Sequence, residues 1–127
     1  LGGTKIAAAL ATARGEILAR EYSPTPAQAG PDAALNSIFN IIEKTLSAGE
    51  LKSYQLLGIG IAAAGLVDSD SGKLICSPNL PGWREVPLED AVKQRFGIPV
   101  YLGNDASLAA LGEWCFGLKK KVAIIMR

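Results

Sequence analysis

The chain begins with two apolar runs that a turn signal separates. Residues 4–13 are rich in small apolar side chains, and residues 15–22 alternate between apolar and polar positions. Arg14-Gly15 between the runs is typical of a turn, so we expect the two runs to pair as an antiparallel hairpin. Residues 23–31 contain three prolines and a glycine, and this composition predicts a loop that leads away from the hairpin.

A helical pattern follows this loop. From Asp32 onward, apolar residues recur at intervals of three and four positions, which is the spacing of one face of an α-helix. The apolar positions are Leu35, Ile38, Phe39, Ile42 and Leu46. Gly49 comes after the last of them and suits a C-terminal cap. The pattern therefore predicts an amphipathic helix that ends near Gly49 and packs one face against the core.

The most apolar segment lies in the middle of the chain. Residues 55–65 (QLLGIGIAAAG) are nearly continuous in apolar side chains, a pattern that favours a central parallel strand covered on both faces. The polar segment 68–72 predicts a turn between two short extended pieces within residues 67–76. Residues 77–83 contain two prolines and predict a rigid loop.

The last part of the chain continues the alternation of helix and strand. Pro87 stands where a helix favours its first residue, Glu89-Asp90 falls in the first turn, and Gly97 lies just past the end. Three further elements are predicted: a strand at 98–102, a helix at 104–116 and a strand at 122–126. Strands that alternate with helices predict an α/β domain whose sheet is mostly parallel.

Length and charge narrow the class of protein. The 127 residues suffice for one domain with a core, and 49% hydrophobic with 20% charged residues is the composition of a folded globular chain. The formal net charge is +1, so we expect neither nucleic acid nor an anionic membrane as a partner of this segment. The longest apolar run, residues 59–67, is too short to cross a bilayer.

The chain has no histidine and two widely separated cysteines, Cys76 and Cys115. Without histidine, a His-ligated zinc site, a Ser-His-Asp triad and a histidine general base are excluded. Neither cysteine has a CxxC partner. Such isolated cysteines fit a reducing compartment, so we expect a cytoplasmic protein.

Two segments could contact a ligand. Gly2-Gly3-Thr4-Lys5 could offer backbone N–H groups and a hydroxyl to a phosphate, although a hairpin turn explains the glycines about as well. Asn104-Asp105 lies between a predicted strand and a predicted helix, where open α/β sheets bind ligands. Asp105 could accept a proton from an alcohol, and Asn104 could hydrogen-bond to hydroxyls. A helix cap explains this pair equally well, since Asn and Asp are preferred capping residues.

Four motifs occur in one colinear order along the chain: GGTKI, GIGIAAAGLVDSDSG, CSPNLPGW and GIPVYLGNDASLAALGEW. Together they resemble the N-terminal half of the ROK family, which holds bacterial glucokinases, related hexose kinases and transcriptional repressors. The resemblance covers nearly the whole chain and implies a single N-terminal domain, residues 1–127. The implied fold is that of the actin-like (ribonuclease H-like) ATPases: an α/β domain whose mixed sheet has an N-terminal antiparallel hairpin and helices on both faces.

The same resemblance implies a sugar kinase site. Asp105 matches the base that takes a proton from a sugar hydroxyl, and Asn104 matches a residue that binds neighbouring hydroxyls. Gly65 and the segment Ser77-Pro78-Asn79 match loops that close on the sugar. Gly2-Gly3-Thr4-Lys5 matches the first phosphate-binding turn. ATP and Mg²⁺ are the cofactors that the resemblance implies, the partner is a hexose such as glucose, and no metal ligand is assigned within this chain.

The sequence also departs from the family pattern. The family's first motif starts with an acidic residue (DxGGT) that helps to hold magnesium, and here Leu1 is the first residue. A second Gly-rich phosphate loop, a GExGH segment and a cysteine-rich zinc motif do not occur, and Ala64 stands where many members have proline. We therefore expect a domain truncated at both ends, without appreciable kinase activity by itself. Its exposed sheet edge favours a homodimer or a swapped assembly.

Three functions fit this sequence. The first is part of an ATP-dependent hexokinase of the glucokinase type. The second is the sugar-sensing part of a ROK repressor, whose helix-turn-helix would precede the GGT motif. The third is a folded, non-catalytic remnant. The flanking coding sequence distinguishes them, because an upstream helix-turn-helix indicates the repressor, a downstream GTGxGGG with a cysteine motif indicates the kinase, and a stop codon indicates the remnant.

Overall fold

The structure is a computed structural model and describes residues 5–12, 14, 16–24, 30–63, 65–76, 82, 84–104 and 124–126. In this part of the chain the strands form a five-stranded sheet and a three-stranded sheet. Two α-helices and a short 3-10 helix, Ser53–Gln55, complete the described elements.

The predicted antiparallel hairpin is confirmed. β1 (Lys5–Ala11) pairs with β2 (Ile17–Pro24), and Ala8 stands opposite Glu21. Alternate residues of β1 are buried: Ile6, Ala8 and Leu10. This period of two follows from the strand itself, which points successive side chains to opposite faces of the sheet.

α1 (Pro31–Ala48) is the helix that the spacing of apolar residues predicts. Pro31 stands in its first turn, and Gly49 ends it. It packs on β1 and β2. Its buried residues are Ala34, Ile38, Ile41, Ile42, Thr45 and Leu46. The Thr45 hydroxyl donates to the Ile41 carbonyl oxygen (2.7 Å), so burial of this polar group leaves no unmet hydrogen bond.

The end of α1 places a residue other than glycine in the left-handed region. Glu50 has a φ of 57°, and its N–H donates to the Ser47 carbonyl oxygen (3.1 Å). The N–H of Leu51 donates to the Leu46 carbonyl oxygen (2.9 Å). These two bonds form a Schellman motif, in which glycine is the usual left-handed residue. Gly49 meets a different need, because a Cβ there would overlap a buried leucine of β1.

We expect Glu50→Gly to raise the free energy of unfolding by about 0.5–1 kcal/mol, because glycine adopts the left-handed conformation without strain. Urea unfolding followed by far-UV circular dichroism measures the change. Glu50→Ala is the control, since it removes the same carboxylate and keeps the strain. Its unfolding midpoint should stay near that of the parent chain. An equal rise in both variants would show that charge, not backbone conformation, sets the effect.

The larger sheet has the strand order β2-β1-β8-β3-β7. β3 (Ile59–Ala63) lies parallel to both of its neighbours, β7 (Val100–Asn104) and β8 (Ile124–Met126). The prediction of a central parallel strand is therefore confirmed. β8 lies between β1 and β3 and runs antiparallel to β1, which makes the sheet mixed.

The segment between β3 and the second helix forms a smaller antiparallel sheet. Its strands are β4 (Leu66–Asp68), β5 (Lys73–Cys76) and β6 (Arg84–Val86). The turn between β4 and β5 falls where the sequence predicts it. β6 is absent from the predicted elements, because three residues carry no periodic pattern. It is a strand because it pairs with β5, where Leu74 stands opposite Val86.

α2 (Leu88–Phe96) begins one residue later than predicted. Pro87 is its N-cap rather than its first helical residue, and Gly97 closes it in the left-handed region with a φ of 70°. α2 packs on β7. Its own residues Leu88 and Val92 are fully buried, so the helix packs into the same core as the sheet.

The two described helices lie on one face of the larger sheet, because they contact each other as well as the sheet. Phe39 of α1 meets Phe96 of α2 edge to face, with 6.2 Å between ring centroids. Arg95 of α2 pairs with Glu43 of α1 at 2.6 Å. Helices on both faces are thus not seen in the described part of the chain. None of its helices is long and apolar enough to span a membrane.

Candidate functional site

Asn104 is the last residue of β7. It stands opposite Ala63, the last residue of β3, in a parallel ladder. The sequence places this strand at 98–102 and Asn104 at the start of a helix; the strand instead runs from Val100 through Asn104, because pairing with β3 extends that far. Both strands end at one edge of the sheet, where open α/β sheets bind ligands. The side chain of Asn104 and all of Asp105 lie outside the described residues.

The chain turns sharply after β3. Gly65 has a φ of 120°, a conformation that residues with side chains rarely adopt, and β4 starts at the next residue. β4 approaches β7, the strand that ends at Asn104. Gly65 also lies two residues after Ala63, which pairs with Asn104. The structure therefore brings Gly65 and Asn104, two of the residues predicted to contact a sugar, to the same edge.

The register of the smaller sheet adds a third segment. Leu66, next to Gly65, pairs with Cys76 of β5, and Cys76 pairs on its other side with Arg84. Ser77-Pro78-Asn79 follows Cys76 in the sequence, and Cys76 itself lies beside the Gly65 turn. The segment itself lies outside the described residues. Cys76 is an exposed free thiol.

The first strand reaches the same edge from the other side. β1 is antiparallel to β8 and β8 is parallel to β3, so the amino end of β1 lies with the carboxyl ends of β3 and β7. Lys5 is the first residue of β1. It stands three strands from Asn104, or about 14 Å at the usual spacing between strands. Gly2-Gly3-Thr4, which precedes it, lies outside the described residues.

The turn between β4 and β5 holds one carboxylate with a shifted pKa. Asp68 accepts hydrogen bonds from the Ser71 hydroxyl (2.9 Å) and from the Asp70 N–H (3.1 Å). The Ser71 hydroxyl is the main reason that the pKa of Asp68 lies below its ordinary value. The carboxylate is at the end of β4 away from Gly65, so it braces the turn and does not face the candidate site.

No metal-binding group appears among the described residues: no three Asp, Glu, Cys or His side chains gather there. The magnesium that the resemblance implies therefore has no set of ligands within the described part of the chain. The Gly-rich turn expected to hold phosphate oxygens, Gly2-Gly3-Thr4, lies outside that part.

Gly72 and Glu89 also shape this region, although the sequence does not single them out as site residues. Gly72 ends the β4–β5 turn, and its carbonyl oxygen accepts a hydrogen bond from the Glu89 N–H at the start of α2 (3.1 Å). The glycine in DSDSG signals a turn. The contact with α2 joins separate parts of the chain, and nothing in the local pattern indicates it.

The chain is similar over most of its length to proteins of one family. The sequence profile of the ROK family matches residues 1–126. The glucokinase of Streptomyces coelicolor is 38% identical over 117 residues, which are 92% of this chain and 34% of that protein. The xylose repressor of Caldicellulosiruptor bescii is 37% identical over 109 residues, which are 86% of this chain and 27% of that protein.

A solved structure supports the same relationship. The ROK family glucokinase from Streptomyces griseus, in complex with glucose and AMPPNP, matches with a TM-score of 0.77 and 36% sequence identity. The match covers 92% of this chain and 35% of that chain. The chain thus spans roughly a third of the length of the proteins that it resembles.

Proposed function

Because the chain belongs to the ROK family, we propose that it is the N-terminal part of a sugar kinase that transfers a phosphoryl group from ATP to a hexose such as glucose. The observation that carries this proposal is the convergence of Gly65, Asn104 and Cys76, the residue before Ser77, at one sheet edge. The glucokinase of S. coelicolor and the S. griseus complex with glucose and AMPPNP support this choice of substrates.

Asp105 is the proposed base. It follows Asn104 at the carboxyl end of β7. Its carboxylate would accept the proton of a sugar hydroxyl while that oxygen attacks the terminal phosphorus of ATP, and the bond to the bridging oxygen breaks to release ADP. Such a transfer needs positioning and charge stabilisation more than covalent work by the protein. One carboxylate held beside the hydroxyl meets the first of these needs.

The other residues of the proposed site bind rather than react. Asn104 can both donate to and accept from sugar hydroxyls, and Gly65 and Ser77-Pro78-Asn79 would close over the ring. Gly2-Gly3-Thr4-Lys5 would hold phosphate oxygens through backbone N–H groups and one cationic side chain. Mg²⁺, when bound, neutralises phosphate charge. No step is assigned to it, since the described residues contain no cluster of ligands for it.

A sugar-sensing repressor is the second candidate, and the match to the C. bescii xylose repressor favours it. A repressor would use the same sheet edge to bind a sugar without transferring phosphate. The net charge of +1 gives this segment no electrostatic footprint for DNA, so DNA contacts would belong to another part of such a protein. A measurement of phosphoryl transfer distinguishes the kinase from the repressor, whereas a measurement of sugar binding alone does not.

We expect the chain to bind at least one hexose with a millimolar dissociation constant. Isothermal titration with glucose, N-acetylglucosamine, mannose and fructose measures this. Asn104→Ala should weaken binding about tenfold, because sugar hydroxyls in the proposed site would lose one hydrogen-bond partner. Asn36→Ala, at an exposed position of α1, is the matched control and should leave the affinity unchanged. Absence of binding to all four sugars, or an equal loss in both variants, would contradict the proposed site.

A further inference from the structure

The turn between β4 and β5 packs against the start of α2. Gly72 is buried and has a φ of 68°. A Cβ at this position would lie 2.6 Å from the Glu89 Cβ and 2.8 Å from its Oε2. Together with the hydrogen bond from the Glu89 N–H (3.1 Å), this contact fixes the distance between the turn and the start of α2. Only glycine fits, because both the conformation and the space exclude a side chain.

Each partner of this contact is held by further contacts. The Asp68 carboxylate, which accepts bonds from the Ser71 hydroxyl and the Asp70 N–H, braces the turn from within. α2 is held to the core through Leu88, which is fully buried, and to α1 through the pair of Arg95 and Glu43. A displacement at Gly72 would therefore move the turn as a unit instead of being absorbed by α2.

The strands transmit this position to the candidate site. β4 leads from the Gly65 turn to Asp68, and β5 leads from Lys73 to Cys76, just before Ser77. Four residues of β5 span roughly 13 Å. The buried pair of Leu74 and Val86 holds the small sheet against the core. A shift of the β4–β5 turn therefore tilts the opposite end of the small sheet, where Gly65 and Cys76 lie.

We infer that Gly72 is a positioning residue: its contact with Glu89 sets where Gly65 and Cys76 stand relative to Asn104. The significance of this placement for a sugar rests on the proposed function, but the mechanical coupling does not. Gly72 touches no substrate in this scheme and acts through the small sheet.

Gly72→Ala tests the coupling, and Gly97→Ala is its matched control. Gly97 has a φ of 70°, close to that of Gly72, but a Cβ there meets no atom within 4 Å. The two variants share the backbone strain and differ in the collision with Glu89. Hydrogen–deuterium exchange on the 127-residue chain should show amide exchange in β4 and β5 rising about tenfold or more in Gly72→Ala. Gly97→Ala should leave those strands at the parent rate.

A double variant separates collision from general destabilisation. Gly72→Ala with Glu89→Gly removes the colliding atoms and keeps the strain at residue 72, so exchange in β4 and β5 should fall well below that of Gly72→Ala toward the parent rate. If Gly72→Ala does not fold, Glu89→Pro decides instead, because it removes the donated N–H at a position where a helix tolerates proline. It should raise exchange in the same strands. Unchanged exchange there, in whichever variant folds, overturns the inference.

Titration with the hexose that the parent chain binds supplies the functional readout. Gly72→Ala should weaken the affinity about tenfold, the double variant should restore most of it, and Gly97→Ala should bind as the parent does. Equal affinity in Gly72→Ala and the parent chain overturns the role in the site. If the parent binds none of the four sugars, the proposed function fails, and the exchange measurements still decide whether Gly72 positions the small sheet.

Discussion

Asp105→Asn should lower kcat for hexose phosphorylation by about 10²–10⁴-fold, the usual contribution of a general base. The measurement requires a complete kinase, made by joining the chain in frame to the remaining parts of the S. coelicolor glucokinase that it resembles. A coupled assay with ATP and glucose then reports turnover. The 127-residue chain alone serves as the baseline, from which we expect no appreciable turnover.

The substitution also decides between the two interpretations of Asn104-Asp105. Asn is as good a helix cap as Asp but cannot act as a base, so Asp105→Asn preserves a cap and removes the proposed chemistry. Asp90→Asn is the matched control, since Asp90 is an exposed acidic residue in the first turn of α2, and it should leave kcat unchanged. A loss of less than about tenfold at Asp105 would favour the cap over the base.

Ile61→Ala should lower the free energy of unfolding by about 2–5 kcal/mol. Ile61 is fully buried in β3, where it stands opposite Leu102 of β7 on one side and Met126 of β8 on the other. Removing three carbon atoms there leaves a cavity that the paired strands cannot close. Since domains are stable by only about 5–15 kcal/mol in total, the variant should have a much lower urea midpoint.

Two further substitutions calibrate this result. Ile61→Val removes a single methylene and should cost about 0.5–1.5 kcal/mol. Leu57→Ala removes as many carbon atoms as Ile61→Ala, but Leu57 is 60% exposed, so its effect should stay within about 0.5 kcal/mol. Urea unfolding of the three variants measures the series. A similar loss for Ile61→Ala and Leu57→Ala would mean that β3 does not lie at the centre of the sheet.

Local patterns predicted the elements whose signals are contained in a short stretch of sequence. The hairpin follows from two apolar runs around Arg14-Gly15, α1 from apolar positions at helical spacing, and β3 from a nearly continuous apolar run. Boundaries were less well predicted. β7 extends to Asn104 because its partner β3 continues to Ala63, and a pairing partner is not visible in the strand's own residues.

The motifs also identified candidate residues of the site, and the similarity to ROK proteins confirms the family from which they were taken. The roles of Asp105, Asn104 and the Gly-rich turn stay predictions, because the reactive side chains lie outside the described residues. The structure does place the backbone of Gly65, Asn104 and Cys76, the residue before Ser77, at one edge of the sheet.

The sequence by itself determined the hairpin, α1, β3 and α2, because side-chain periodicity and turn residues act over a few positions. Its motifs indicated which residues could carry sugar chemistry. The tertiary structure alone decided the position of β8 between β1 and β3, the existence of β6, and the contact between Gly72 and Glu89. Each of these depends on pairing between residues far apart in the chain. The convergence at the sheet edge has the same origin, since strand register, not local pattern, brings Gly65 and Asn104 to the same edge.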